Sequence, residues 1–244
     1  AAYRSPDLIR ALRRQGAEVV VYATPEALRF VSREVLEWCS LSPVIDRLDG
    51  RAQHVEDARS IDHFLLAPAT YSTINKFALG LADNAVTTTL AGALGRLEVG
   101  RASLSVAPTM HGDMVNDVLR ASLASLADRG VEILTPRRGA GKANIPEVDT
   151  LVAHVIRSVR RRQPGALNGR SILVTGGATP VAIDSVRQLT NRFSGATAVR
   201  IAQSLWQRGA NVSLLLGGAA VAAPAWLSTQ RVADFDAYSA ACMS

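Results

Sequence analysis

The sequence is poor in the residue types that several function classes require. Among 244 residues there are two cysteines, Cys39 and Cys242, far apart in the chain. Such a pair excludes a disulfide scaffold and a cysteine-based zinc cluster, and it fits a reducing cytosol, so a cytoplasmic location is expected. Aromatic residues make up 5%, too few for a base-stacking platform. The four histidines contain no His-x-x-x-His pair and the acidic residues do not cluster, so no metal site is expected. No apolar run approaches the roughly 18 residues of a membrane-spanning helix, and no signal-peptide pattern opens the chain, so no membrane role is expected.

What is present is a globular composition, 48% hydrophobic and 20% charged. The length allows one large domain or two modest ones. Lys and Arg number 27 against 21 Asp and Glu, a formal charge of +6. The basic residues are mostly arginines scattered along helices, and the one dense cluster is Arg157, Arg160, Arg161 and Arg162. That pattern argues against a nucleic-acid partner and suits small molecules that carry phosphate.

Helical and strand patterns alternate. Ser5 to Gln15 reads as an amphipathic helix with Ser5 as N-cap and Pro6 in its first turn. Apolar runs at Glu18–Tyr22, His63–Ala67, Leu104–Ala107 and Val131–Leu134 read as buried strands, with helices at Pro25–Phe30, Ser72–Gly80, Leu119–Arg129 and Val148–Arg162. A doubly wound, flavodoxin- or Rossmann-like parallel sheet is the expected fold. Residues 1–160 form the first domain on this reading, and the basic stretch 161–169 a linker. Residues 170–244 restart the pattern, with strand Ser171–Thr175, a glycine turn, helix Gly195–Gln207 and strand Asn211–Leu216, the first half of a second Rossmann-like domain. The chain opens directly on a helix and only about 75 residues follow Gly169, so the sequence reads as a fragment cut at both ends.

Three segments carry candidate chemistry. Ala67-Pro-Ala-Thr70-Tyr-Ser72-Thr73 lies at the carboxyl end of an expected strand, where doubly wound sheets bind ligands. Its small and hydroxyl residues let backbone N–H groups approach an anion or a planar ring, and they equally suit an ordinary helix-capping loop. In Gly80–Thr89, Asp83 and Asn84 read first as helix caps. Ala107–Met114 places His111 between Met110 and Met114 in a loop, as a ligand contact, a base, or neither. His54 stands just before a helix, His63 in a strand, and His154 in the closing helix, packed or solvated.

In order along the chain, Ala1-Ala-Tyr-Arg-Ser-Pro6, Thr24 with Ala27 and Phe30, His54, Ala67-Pro-Ala-Thr70, Ala82-Asp-Asn84 and Pro108-Thr-Met-His-x-x-Met114 resemble flavin-dependent cysteine decarboxylases. Val174-Thr-Gly-Gly-Ala-Thr-Pro180 and Asp184–Gly195 resemble the nucleotide-binding start of phosphopantothenate–cysteine ligases. Together they resemble the bifunctional decarboxylase–ligase family of coenzyme A biosynthesis, and the Met-His-x-x-Met form looks most like its archaeal members.

The resemblance implies FMN at the first domain's sheet edge, contacted by Thr24, Ala67, Thr70, Ser72, Thr73, Asn84 and Thr87. It implies His54 as acid/base, and Met110, His111 and Met114 on the substrate carboxylate. FMN would take electrons from the thiol of 4'-phosphopantothenoylcysteine, easing loss of the neighbouring carboxylate. In the second domain it implies CTP with Mg²⁺ near Gly176, Gly177 and Asp184, and Asn191, Ser194 and Gly195 on an intermediate made from 4'-phosphopantothenate before cysteine is added. A homo-oligomer is implied as well. The chain departs from the family pattern at Ser72, where asparagine is usual, and at His111, where many members have asparagine although the archaeal form carries histidine. It lacks a cysteine in the Gly139–Pro146 loop, has Ala196 in place of a lysine, and reads Gly177-Ala-Thr-Pro180 for Gly-Pro-Thr-Arg. Ser72 and Ala196 motivate one alternative, a catalytically degenerate flavin-binding regulator; a second is a decarboxylase of peptide C-terminal cysteines, as related flavoproteins are, against which the ligase-like segment counts.

Overall fold

The structure is a computed structural model that describes residues 1–50, 53–139, 142–218 and 221–243, with the side chains of residues 53, 54, 58, 138 and 139 outside the description. The chain divides into two compact units, Ala1–Val155 and Ile156–Ser244.

The first unit opens with a 3-10 turn, Ala2–Arg4, that runs straight into helix α1 (Ser5–Arg14). Ser5 therefore has helical torsions and does not act as the N-cap; Arg4 holds that position without a side-chain bond. Helices α2 (Pro25–Leu28) and α3 (Arg33–Ser40) follow, capped by the hydroxyls of Thr24 and Ser32. Ile9, Ala23, Leu36, Cys39 and Val44 close a small apolar cluster. The apolar run at 18–22 does not become a strand. A single parallel bridge joins Tyr22 to Ile45, with Ala23 N–H bonded to Ile45 O at 3.0 Å and Ile45 N–H to Val21 O at 2.9 Å. One rung of pairing leaves the run extended without a ladder.

Helix α4 (Gln53–Ser60) leads to strand β1 (His63–Ala69). Helices α5 (Tyr71–Ala78) and α6 (Ala85–Glu98) connect it to β2 (Ser103–Pro108). A short β3 (Met110–His111), helix α7 (Asp117–Asp128) and β4 (Glu132–Ile133) come next. The strands β1, β2 and β4 form a parallel sheet in that order. Central β2 is buried along its length and pairs Leu104 with Phe64 and Val106 with Leu66. These side chains join Ile74, Phe77, Leu119 and Leu126 in the main core. The ring of His63 lies between the hydroxyls of Ser103 and Ser105, at 2.8 Å from each. Strands β5 (Arg137–Gly139) and β6 (Lys142–Asn144) make an antiparallel sheet with β3, in the order β3-β6-β5. Helix α8 (Val148–Arg160) follows, and its His154 ring is 2.7 Å from Glu132.

The second unit repeats the alternation with β7 (Ser171–Gly177), the hairpin β8 (Val181–Ala182) and β9 (Gln188–Leu189), α9 (Ala196–Gln207), β10 (Asn211–Gly217), β11 (Ser228–Val232) and α10 (Phe235–Met243). Its parallel sheet has the order β11-β10-β7. Leu214 and Leu216 of β10 meet Ala198, Val199 and Ala202 of α9 in the core. Arg157 donates to the carbonyls of Trp206, Gly209 and Ala210 and stacks on the Trp206 ring at 4.4 Å. It thereby gathers the carbonyls at the end of α9 and in the turn that follows it. Leu167 N–H bonds Arg208 O at 2.8 Å, so the basic stretch after α8 is tied to this unit.

Candidate functional site

In the first unit, the carboxyl ends of β1 and β2 lead into segments whose polar side chains are organised by helix starts. Thr70, the residue after β1, caps α5: its Oγ1 accepts from Thr73 N–H at 3.4 Å and lies 3.0 Å from Thr73 Oγ1. The Ala67–Pro68 bond is cis. Thr70 and Ser72 are exposed, and Ala67 and Thr73 half-buried. The capping box at α6 is reciprocal. Asn84 Oδ1 accepts from Thr87 N–H at 3.1 Å, and Thr87 Oγ1 accepts from Asn84 N–H at 3.2 Å. Thr87 is 2% exposed, so its hydroxyl shapes the turn from within. Lys76 of α5 bonds Asp83 at 2.5 Å and fastens the two segments together. The Lys76 ammonium holds the Asp83 carboxyl below the usual carboxylate range.

The Pro108–Met114 segment lies beside the Thr70 turn. Thr109 N–H bonds Ala69 O at 2.9 Å. Tyr71 OH donates to Asn116, the cap of α7, at 3.4 Å, and Ser122 OH donates to Asn75 at 2.7 Å. Met110 is half-buried, whereas His111 and Met114 are exposed. Met110, Val115, Leu119, Ile133, Leu134 and Lys142 line a largely apolar cavity of about 420 Å³. Strands β3 and β6 border it, with His111 directly opposite Lys142 in the ladder.

Thr24 caps α2, accepting from Ala27 N–H at 3.2 Å. Two residues earlier, Tyr22 OH donates to Asp57 of α4 at 2.6 Å, and the phenol faces Thr89 of α6, whose own hydroxyl donates to Ala85 O. Burial and the Asp57 carboxylate push the phenol above its usual range. Residue 54 falls in the first turn of α4 rather than before the helix; the His54 side chain lies outside the described residues. Nothing local in the sequence marks Tyr22, Asp57 or Lys76 as site residues. A lone tyrosine and a lone aspartate 35 residues apart give no local signal.

In the second unit the candidate residues divide into packing and exposed groups. A Cβ on Gly176 would stand 2.4 Å from that of Ala198, and one on Gly177, at φ +89°, 2.5 Å from Gly217 O. Both glycines therefore have a packing reason, the first for α9 against β7 and the second for the two strand ends. Asp184 accepts from the N–H groups of Val186 and Arg187 at 2.9 and 2.7 Å and from Arg187 Nε at 2.7 Å. The guanidinium holds its carboxyl below the usual range. Asn191 and Ser194 are exposed. Gly195 (φ +73°) begins α9 without a side-chain cap, and Ser194 Oγ accepts from Ala196 N–H at 3.4 Å. Among the described residues, no group of three His, Cys, Asp or Glu side chains is placed to hold a metal ion, and no helix is long and apolar enough to cross a membrane.

Residues 167–244 match the C-terminal domain of DNA/pantothenate metabolism flavoproteins. The coenzyme A biosynthesis bifunctional protein CoaBC of Thermococcus kodakarensis is 34% identical over 220 residues, which is 88% of this chain and 53% of that protein. CoaBC of Vibrio vulnificus is 36% identical over 236 residues, 92% of this chain and 56% of that one. The chain spans about half the length of the curated relatives it matches. Among solved structures, the FMN-dependent cysteine decarboxylase SpaF aligns with a TM-score of 0.55 at 21% identity, covering 64% of this chain and 90% of that one. A PPC decarboxylase variant complexed with pantothenoylaminoethenethiol aligns with a TM-score of 0.53 at 24% identity, covering 63% and 89%. These likenesses establish the α/β fold. Residues 1–160 match the flavoprotein family itself, and the chain belongs to that family.

Proposed function

We propose that this chain is the FMN-dependent 4'-phosphopantothenoylcysteine decarboxylase portion of a coenzyme A biosynthesis enzyme, residues 1–160, joined through 161–169 to the opening of a CTP-dependent phosphopantothenate–cysteine ligase domain, residues 170–244. The observation that carries it is the carboxyl edge of β1 and β2. The hydroxyls of Thr70, Ser72 and Thr73 stand at the start of α5, the Lys76–Asp83 bond ties that helix to the Asn84 cap of α6, and the neighbouring Pro108–Met114 segment lines a largely apolar cavity. That donor set fits a flavin, whose ring edge needs hydrogen-bond partners and whose faces need apolar contact.

When bound, FMN supplies the two-electron oxidation of the substrate thiol and its reversal. The chain's own residues do the rest. Thr24, Ala67, Thr70, Ser72 and Thr73 hold the cofactor, and Thr87 holds Asn84 in place for it. Met110, His111 and Met114 orient the substrate carboxylate toward the cavity side of the site. His54 moves the proton; an imidazole titrates near neutrality and suits that task. In the second domain, Gly176, Gly177 and Asp184 shape a nucleotide site for CTP with Mg²⁺, and Asn191, Ser194 and Gly195 contact the activated 4'-phosphopantothenate that receives cysteine. The enzyme works in the cytoplasm as a homo-oligomer on small molecules, with no nucleic-acid or membrane partner.

The test uses the full-length protein. His54→Asn abolishes CO₂ release from 4'-phosphopantothenoylcysteine while FMN stays bound. Turnover retained in that variant overturns the role given to His54.

A further inference from the structure

The Tyr22–Asp57 hydrogen bond sits where three pieces of the first unit meet. Tyr22 ends the 18–22 run two residues before Thr24. Asp57 belongs to α4 one turn after residue 54. Thr89, near the same phenol, belongs to α6, whose start carries Asn84 and Thr87. Each piece therefore bears one of the residues assigned above to the flavin site. The bond is 2.6 Å long and both partners are half-buried, the geometry of a strong O–H···O⁻ contact.

Helix α4 needs such a fastening. It has only eight residues, and Val55, Glu56, Arg59 and Ser60 are exposed. A helix of that length is marginal alone and takes its orientation from tertiary contacts. Among the described residues it packs along α6, and its hydrogen bonds to other elements come from Arg96, which donates to Arg59 O at its last turn, and from Tyr22 in its middle. Residues three apart share a helix face, so the contact that fixes Asp57 also fixes the direction of the face on which residue 54 lies. The phenol stays protonated across neutral pH, since burial and Asp57 both favour its neutral form, so it remains a donor wherever the enzyme works.

We infer that Tyr22 and Asp57 are positioning residues: their hydrogen bond sets the roll of α4 on α6 and thereby the direction of the helix face that carries the proposed acid/base residue 54. The inference rests on the decarboxylase reading above. In the full-length FMN-loaded protein, Tyr22→Phe should lower kcat about ten- to a hundredfold, as expected for sub-ångström to ångström misplacement of a reacting group, with KM and flavin affinity unchanged. Asp57→Asn keeps an acceptor oxygen and should fall between wild type and Tyr22→Phe. The double variant Tyr22→Phe/Asp57→Leu removes both polar partners, so it should regain the wild-type thermal midpoint while kcat stays low. A double variant that regains kcat together with stability overturns the inference, since the contact would then be structural alone. Wild-type kcat in Tyr22→Phe overturns it also. A wild-type protein that binds FMN without turning over 4'-phosphopantothenoylcysteine overturns the decarboxylase reading itself, and this inference with it.

Discussion

The two units build their sheet edges by different means. At the carboxyl edge of β1 and β2 the work is done by side chains: Thr70 and Asn84 cap helices, Thr87 and Asp83 brace the α6 turn, and Lys76 links the two segments. At the ends of β7 and β10 it is done by the absence of side chains. Gly176, Gly177 and Gly217 let strand, helix and loop backbones come so close that a Cβ would overlap a neighbour at every one of the three. An edge made of side chains can lose one of them and keep its fold. An edge made of backbone contacts cannot gain a methyl group without moving.

Substitutions at the two edges test that difference. The largest effect is expected at Gly217→Ala, where the new Cβ would stand 2.2 Å from the Ala178 carbonyl oxygen. Backbone must shift to relieve it, and a loss of about 3 kcal/mol or more is expected in the unfolding transition of the second unit, read by calorimetry. Leu104→Ala in the first unit empties a core site that is 2% exposed and should cost about 3 kcal/mol, showing that this unit's stability lies in its core rather than its edge. Asn84→Ala removes one half of the capping box and should cost only about 1 kcal/mol in thermal unfolding. Its effect on flavin affinity should exceed that on stability. A Gly217→Ala protein no less stable than Asn84→Ala would break the comparison.

The smallest effect is electrostatic. Asp83 titrates below its ordinary value because Lys76 bonds the charged form. Its contribution is therefore present above the ordinary carboxylate pKa and is lost as pH falls through the depressed value. Following the Asp83 carboxyl carbon by NMR should give a titration below the ordinary range, and Lys76→Met should move it back up.

The strands β1, β2, β7 and β10 are legible because each is an apolar run bounded by turn residues, although β7 leaves Ser171, Leu173 and Thr175 exposed. The run at 18–22 has the same composition and forms one bridge only; composition reports burial, and a ladder also needs a partner. Strand β11 was missed because Ser-Thr-Gln-Arg-Val is an edge strand, mostly exposed and paired with β10 alone among the described residues. The pairs β8–β9 and β3–β6–β5 are too short for any period to show. Helix α3 carried a usable signal in Ser32, which caps it. Thr70 is legible because it joins a strand to a helix, and Asn84 because it precedes a helix, both local patterns. Tyr22 with Asp57 and Lys76 with Asp83 escaped because partners brought together by tertiary packing leave no fixed spacing in the chain.

The central claim is that the first unit holds FMN for decarboxylation. The most direct measurement is the visible absorption spectrum of the purified full-length protein, before and after 4'-phosphopantothenoylcysteine is added without oxygen, with CO₂ and 4'-phosphopantetheine assayed in the same sample. An FMN-dependent decarboxylase shows a bound-flavin spectrum at the start and yields both products after addition. A colourless protein that cannot be loaded with FMN would contradict that claim.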